Sequence, residues 1–289
     1  MDLQTLTPRI LPVPYEEGTY WRKGTKEGPD AILREAAKVR EFSLVSRRRN
    51  PYALADLLWP APAIEPYSSQ RSLDKIEQSV SALIAAGHAP VVLGGDHSIT
   101  LPIMRSLAAA YGKQGFGIIH FDAHSDTFDA VDGFEYHHGA VFRHIVQEGL
   151  VAPQHIHQFG IRGFVRGDGL VFADRSGIPY VLMDEFRRRN FDLGAWCNPA
   201  MPYFVSIDID AVDPAFAPGT GTPVPGGFSS SELLGVLRQL ADYPIVGLDL
   251  VEVAPVFDHS NITVLLAAHV LIESLSGLRF VRPRVAVPA

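Results

Sequence analysis

The chain has 289 residues, and its 25 Lys plus Arg against 32 Asp plus Glu give a formal charge of −7. With 47% hydrophobic and 20% charged residues it has the composition of a globular protein long enough to bury a full core. The acidic balance, with no basic run longer than three residues, excludes nucleic acid and anionic membrane as first-choice partners.

No stretch approaches 18 uninterrupted apolar residues, so no membrane span is expected. Met1-Asp2-Leu3-Gln4 lacks the basic start and apolar core of a signal peptide, which makes the cytoplasm the expected compartment. A single cysteine, Cys197, leaves no internal disulfide framework and no thiolate metal cluster.

In chain order, apolar runs of strand length alternate with longer helix-like stretches. Arg9–Val13 reads as the first strand and Asp30–Val39 as the first helix, opened by Pro29-Asp30. Residues 40–71, with Arg47-Arg48-Arg49-Asn50-Pro51 and three further prolines by Pro66, read as a surface excursion or a short helix and loop. The alternation then resumes with helix Ser72–Ala86, strand Pro90–Leu93, helix Ile99–Tyr111 and strand Gly115–Phe121. Helix Gly139–Glu148 and strands Ile156–Ile161, Pro179–Leu182 and Tyr203–Ile207 follow. Arg187-Arg188-Arg189 reads as a solvated helix face. Helix Ser230–Ala241 carries a cap at Ser229 or Ser230 with Glu232 in its first turn, strand Ile245–Val251 comes next, and helix Asn261–Leu275 follows Ser260. The strands are continuous apolar runs, as expected for parallel strands covered on both faces. The alternation predicts one α/β domain over residues 1–289 with a largely parallel sheet.

Four motifs sit at the carboxyl ends of predicted strands: Gly94-Gly95-Asp96-His97-Ser98, Asp122-Ala123-His124-Ser125-Asp126, Asp208-Ile209-Asp210 and Glu252. In a parallel sheet those ends share one edge, where α/β proteins bind ligands. Asp122, His124 and Asp126 alternate, as do Asp208 and Asp210, so in extended chain each set shares a face. Unpaired, so many carboxylates and imidazoles on one edge would repel and desolvate one another. Divalent metal resolves the conflict. Two imidazoles (His97, His124) and four carboxylates (Asp122, Asp126, Asp208, Asp210) are many ligands for one ion and a sensible set for two, and an oxygen-dominated set suits Mn²⁺. Two such ions at about 3.5–4 Å hold a water between them and lower its pKa toward neutrality.

Each motif alone has a bland reading: Asp-x-His-x-Asp as a capped helix start, Gly94-Gly95 as a tight turn. All of them after apolar strands make coincidence a poor account. A serine hydrolase using Ser98 or Ser125 lacks its Gly-x-Ser-x-Gly elbow, and a zinc protease lacks His-Glu-x-x-His. Gly219-Thr220-Gly221 lacks the third glycine of a nucleotide loop. A binuclear metallophosphoesterase would need an Asn-His motif, and the chain contains no Asn-His dipeptide.

Together with the run Ser206–Pro223, the Gly24–Ile32 segment and Val251-Glu252-Val253-Ala254-Pro255, these motifs resemble the ureohydrolase (arginase/agmatinase) family over nearly the whole chain. The resemblance implies an α/β/α sandwich with a mainly parallel eight-stranded sheet, and a binuclear manganese enzyme that hydrolyses a guanidino group to urea and an amine. It implies one ion on His97, Asp122, Asp126 and Asp208 and a second on His124, Asp122, Asp208 and Asp210, with Asp122 and Asp208 bridging. It assigns Glu252 to anchoring the guanidinium and His138 to proton transfer to the leaving amine, and counts Asp126 with these catalytic groups. It also implies a homo-oligomer, a trimer or hexamer. None of the six ligand positions is substituted, which disfavours a scaffold that only binds.

The loop Thr127–Tyr136 lies between the metal motif and His138. In arginases it carries Asn and Ser groups that hold the amino-acid end of arginine. Here it has neither and instead has Asp129, Asp132 and Glu135. Those carboxylates would attract an ammonium tail and repel a carboxylate tail. The expected substrate is therefore agmatine, cleaved to urea and putrescine, ahead of guanidinobutyrate, guanidinopropionate or arginine. The alternative for the three acids is plain solvation of a surface loop.

Overall fold

The computed structural model describes residues 3–50, 52–65, 68–113, 115–131, 133–165 and 169–283. Its strands are β1 (Gln4–Thr5), β2 (Thr7–Val13), β3 (His88–Gly94), β4 (Gly117–Phe121), β5 (Ile156–Ile161), β6 (Tyr180–Leu182), β7 (Tyr203–Asp208), β8 (Pro244–Val251) and β9 (Arg279–Arg282). The helices are α1 (Gly28–Ala36), α2 (Leu54–Leu57), α3 (Ser69–Ala85), α4 (Thr100–Tyr111), α5 (Val141–Gln147), α6 (Val171–Ser176), α7 (Met183–Arg188), α8 (Ser230–Gln239) and α9 (Ile262–Gly277). All seven strands and all six helices read from the sequence are present, with ends moved by a few residues.

The sheet runs β2-β3-β8-β7-β4-β5-β6, and every pairing along it is parallel. β9 joins in parallel beside the first residues of β8, whose later residues pair with β3. Eight strands are thus parallel, as expected. A ninth, the two-residue β1, adds antiparallel pairing to β9.

Alternate residues of each strand feed two cores, which is why the strands read as unbroken apolar runs. Ile10, Val91, Leu93, Ile119, Phe121, Val205 and Leu248 face α1, α7, α8 and α9. Leu11, Val92, Ile118, Ile156, Phe204 and Val246 face α3, α4, α5 and α6. The result is a three-layer α/β/α sandwich. By composition α9 could cross a bilayer, yet Val264, Ala267, Ala268, Val270, Leu271 and Leu275 are buried inside the protein.

Local caps follow residue chemistry. Ser229 and Glu232 form a capping box at α8. At α9 the cap is not Ser260: the Asp258 carboxylate accepts from Thr263 N and Val264 N, and Ser260 lies in the left-handed region. Residues 40–71 are the excursion expected, with α2 and a parallel bridge from Leu58 to Ile10 tying it back to the sheet. Pro51 and Pro66 fall outside the described residues.

Candidate active site

β3, β8, β7 and β4 are consecutive in the sheet, so the four motif-bearing strand ends lie side by side. Gly95 follows β3 where the chain passes Tyr15: a Cβ there would sit 1.6 Å from the Tyr15 carbonyl oxygen. That approach lets Asp96 N donate to Tyr15 O and turns the next residue, His97, inward.

His97 Nδ1 lies 3.2 Å from Asp122 Oδ2, 3.0 Å from Asp126 Oδ2 and 3.3 Å from Asp208 Oδ2. It is buried and makes no aligned hydrogen bond among the described residues, although three carboxylates surround it. Its other nitrogen, Nε2, is 2.9 Å from Ser206 Oγ, and that hydroxyl donates to Asp249 Oδ1 at 2.7 Å. Ser206 therefore accepts from Nε2–H, and Nδ1 is the atom turned to the carboxylates. A second group forms alongside: His124 Nδ1 is 3.3 Å from Asp122 Oδ1 and 3.1 Å from Asp210 Oδ2. Asp122 thus turns one oxygen to each group.

The electrostatics of the chain alone are those of a crowded anionic site. Burial, then the charges of Asp210 and Asp122, push Asp208 well above the usual carboxylate range. Burial would lower His97 and His124, but the surrounding carboxylates outweigh it and raise both well above an ordinary imidazole. Protons shared in this way stand where a divalent cation would place its charge. The donor set, two imidazole nitrogens and four carboxylates in two adjoining groups, fits hard or borderline divalent metal.

Backbone strain concentrates here. Asp126 has φ 49° and Glu252 has φ 61°, both left-handed and both buried, a conformation that costs a non-glycine residue about 1–3 kcal/mol. Glu252 N donates to Gly95 O, and its side chain turns into the site. Glu252 Oε1 accepts from His97 N at 2.9 Å and lies 2.9 Å from His138 Nδ1. Glu252 Oε2 and His138 Nε2 are both buried and without a hydrogen-bond partner among the described residues. Burial would lower the His138 pKa, yet the Glu252 carboxylate raises it to about 9. His137 differs: its Nε2 is 3.0 Å from the Asp129 carbonyl oxygen, and burial lowers its pKa.

A small cavity of about 30 Å³ opens onto these groups, lined by Tyr20, His124, Asp126, Phe128, His138, Gly139, Asp208 and Thr222. The Tyr20 ring meets His137 and His138 edge-on. Thr222 donates to Asp210 Oδ2 at 2.9 Å. The geometry sets Asp129 and Glu135 apart from this cavity. Asp129 is 74% exposed and 3.5 Å from Arg143, and Asp129 and Glu135 line a different hollow with Arg143 and His144. Asp132 falls outside the described residues.

The sequence profile of the arginase family matches residues 7–276. The chain belongs to the arginase family. It is 38% identical over 272 residues to proclavaminate amidinohydrolase of Streptomyces clavuligerus, covering 92% of this chain and 86% of that one. The solved structure of that amidinohydrolase superposes with a TM-score of 0.85 over 94% of this chain and 91% of its own. Identity is 39% over 286 residues to guanidinopropionase of Pseudomonas aeruginosa (95% and 87% covered) and 39% over 273 residues to agmatinase of Neisseria meningitidis serogroup A (92% and 85%). This arginase-family chain is a hydrolase of amidino or guanidino groups.

Among the contributors to the site that sequence reading missed are His120, Thr222 and Arg162. His120 hid inside an apolar strand, although its place two residues before Asp122 puts it on the same face. Thr222 lay within the motif run but drew no role. Arg162 donates to the backbone oxygens of Asp210 and Val224, a tie no local pattern announces.

Proposed function

We propose that the chain hydrolyses agmatine to urea and putrescine at a pair of Mn²⁺ ions. His97, Asp122, Asp126 and Asp208 would hold one ion, and His124, Asp122, Asp208 and Asp210 the other. When bound, such a pair supplies Lewis acidity and lowers the pKa of a shared water toward neutrality.

The observation that carries the reading is the His138–Glu252 pair beside the ligand cluster. Glu252 Oε2 is buried with no hydrogen-bond partner among the described residues, next to the His138 that lines the cavity, and would accept from a guanidinium N–H. Glu252 Oε1 meanwhile fixes the His138 ring through Nδ1, which leaves Nε2 turned to the site. A proton held at Nε2 is then placed for transfer to the departing amine nitrogen, which must leave neutral. One carboxylate thus binds the substrate and orients the acid. Tyr20 and Phe128 wall the cavity.

For the tail, the support is the cavity's described lining, which contains no lysine or arginine to receive a carboxylate. That favours an ammonium-tailed guanidine over a carboxylate-tailed one. A curated relative named agmatinase agrees with this choice, and the relative named guanidinopropionase represents the rival. The test compares kcat/KM for agmatine, arginine, 4-guanidinobutyrate and 3-guanidinopropionate in protein supplied with Mn²⁺. Agmatine should lead. A carboxylate-tailed winner would overturn the substrate while leaving the reaction class standing.

A further inference from the structure

We propose that Gln158 and His120 form a positioning relay that holds the Asp122 carboxylate in its bridging pose, and that His120 is itself not a metal ligand. The inference rests on the metal-centre reading above. His120 is fully buried and its Nε2 lies 2.9 Å from Asp122 Oδ2, so it stands close enough to His97 and Asp122 to be taken for a third ligand. The hydrogen bonds decide otherwise.

The fixed point is a backbone carbonyl. Gln158 Nε2 is 2.7 Å from Ser125 O, which can only accept. The amide nitrogen must therefore face it, because the flipped amide would set oxygen against oxygen. The same nitrogen is 3.1 Å from His120 Nδ1, so its second hydrogen points there and Nδ1 accepts. His120 then carries its proton on Nε2 and donates to Asp122 Oδ2. Phe142, packed on the ring at 4.2 Å between centroids, holds the imidazole plane in place. Gln158 Oε1 is buried without a hydrogen bond among the described residues, so the amide is not placed for its own satisfaction.

The consequence falls on Asp122. Each of its oxygens receives one N–H: His120 Nε2–H on Oδ2, and the His124 backbone N–H on Oδ1 at 2.6 Å. Each oxygen has one lone-pair direction left, Oδ2 toward the His97 group and Oδ1 toward the His124 group. A carboxylate bridging two cations requires that arrangement, and the relay supplies half of it.

The test uses His120→Leu, which removes the donor, and His120→Gln, whose amide nitrogen reaches the place of Nε2. Mn²⁺ binding is titrated calorimetrically on metal-stripped protein, and the histidine ¹⁵N shifts of the metal-free chain report the tautomer. His120→Leu should lose about 10- to 100-fold in Mn²⁺ affinity, with His120→Gln recovering most of it. The shifts should show the His120 tautomer with its proton on Nε2. Leu and Gln variants of equal affinity, or a Nδ1-protonated His120, would overturn the relay. Wild-type protein that binds no Mn²⁺ would instead overturn the metal-centre reading on which it rests.

Discussion

Glu252→Gln isolates the dual role given to one carboxylate. Glutamine keeps the shape and an oxygen for His97 N, but it removes the charge. Two losses follow. A charge-assisted contact to the guanidinium is worth about 1.5–3 kcal/mol, roughly 10- to 100-fold in kcat/KM. The His138 pKa, held at about 9 largely by Glu252, would also fall back toward 6.5. Bound cations start the value below 9, so at pH 8 the protonated fraction drops by up to roughly 30-fold. The product is on the order of 10 to 10³·⁵ in kcat/KM, with Mn²⁺ content unchanged. The assay is urea release at saturating Mn²⁺, paired with metal analysis of the same preparation. Loss of metal together with activity would make Glu252 a ligand, and a loss below about tenfold would remove it from substrate binding.

Other expectations follow from the same geometry. His138→Ala should lower kcat by about 10²–10⁴-fold, the usual worth of a placed general acid, while His137→Ala, which loses a bond to the Asp129 carbonyl and ring contacts with Tyr20 and Phe134, stays within about tenfold. Equal effects would transfer the role to His137. The acid form of His138 exists below its pKa, so activity should fall as pH rises through a limb between 6.5 and about 9, bound cations drawing it down from the upper value. The limb should move to lower pH in Glu252→Gln, and a limb that stays put would separate the two residues. Asp129→Lys should leave kcat/KM for agmatine within about twofold, because Asp129 is exposed and turned to Arg143. A tenfold loss would return the loop acids to the substrate.

The sheet was legible because a strand covered on both faces has no polar side to show, so Val91-Val92-Leu93 or Phe204-Val205 could hardly be anything else. β9 was not legible: Arg279-Phe280-Val281-Arg282 is short and bounded by charge, and its place is set by pairing with β8. The six-residue helices α6 and α7 are too short for a 3.6-residue period to declare itself. In the site, motifs at strand ends carried the reading, since consecutive residues at one edge converge whatever the rest of the chain does. The place of Asp129 relative to the substrate depends on a contact sequence cannot show. Asp129 looked free to meet an ammonium tail, but Arg143 reaches back to it and also donates through Nε to Thr127 O and Phe128 O. His120 was passed over for the opposite reason, a polar residue inside an apolar run that reads as core.

The most direct test of the account is a titration of metal-stripped protein with Mn²⁺, following urea release from agmatine at each step. The account predicts that activity climbs to its plateau at two equivalents per chain, and that Asp122→Ala, lacking the shared carboxylate, reaches no comparable plateau at any concentration. Full activity at one equivalent, or no urea from agmatine at two, would contradict it.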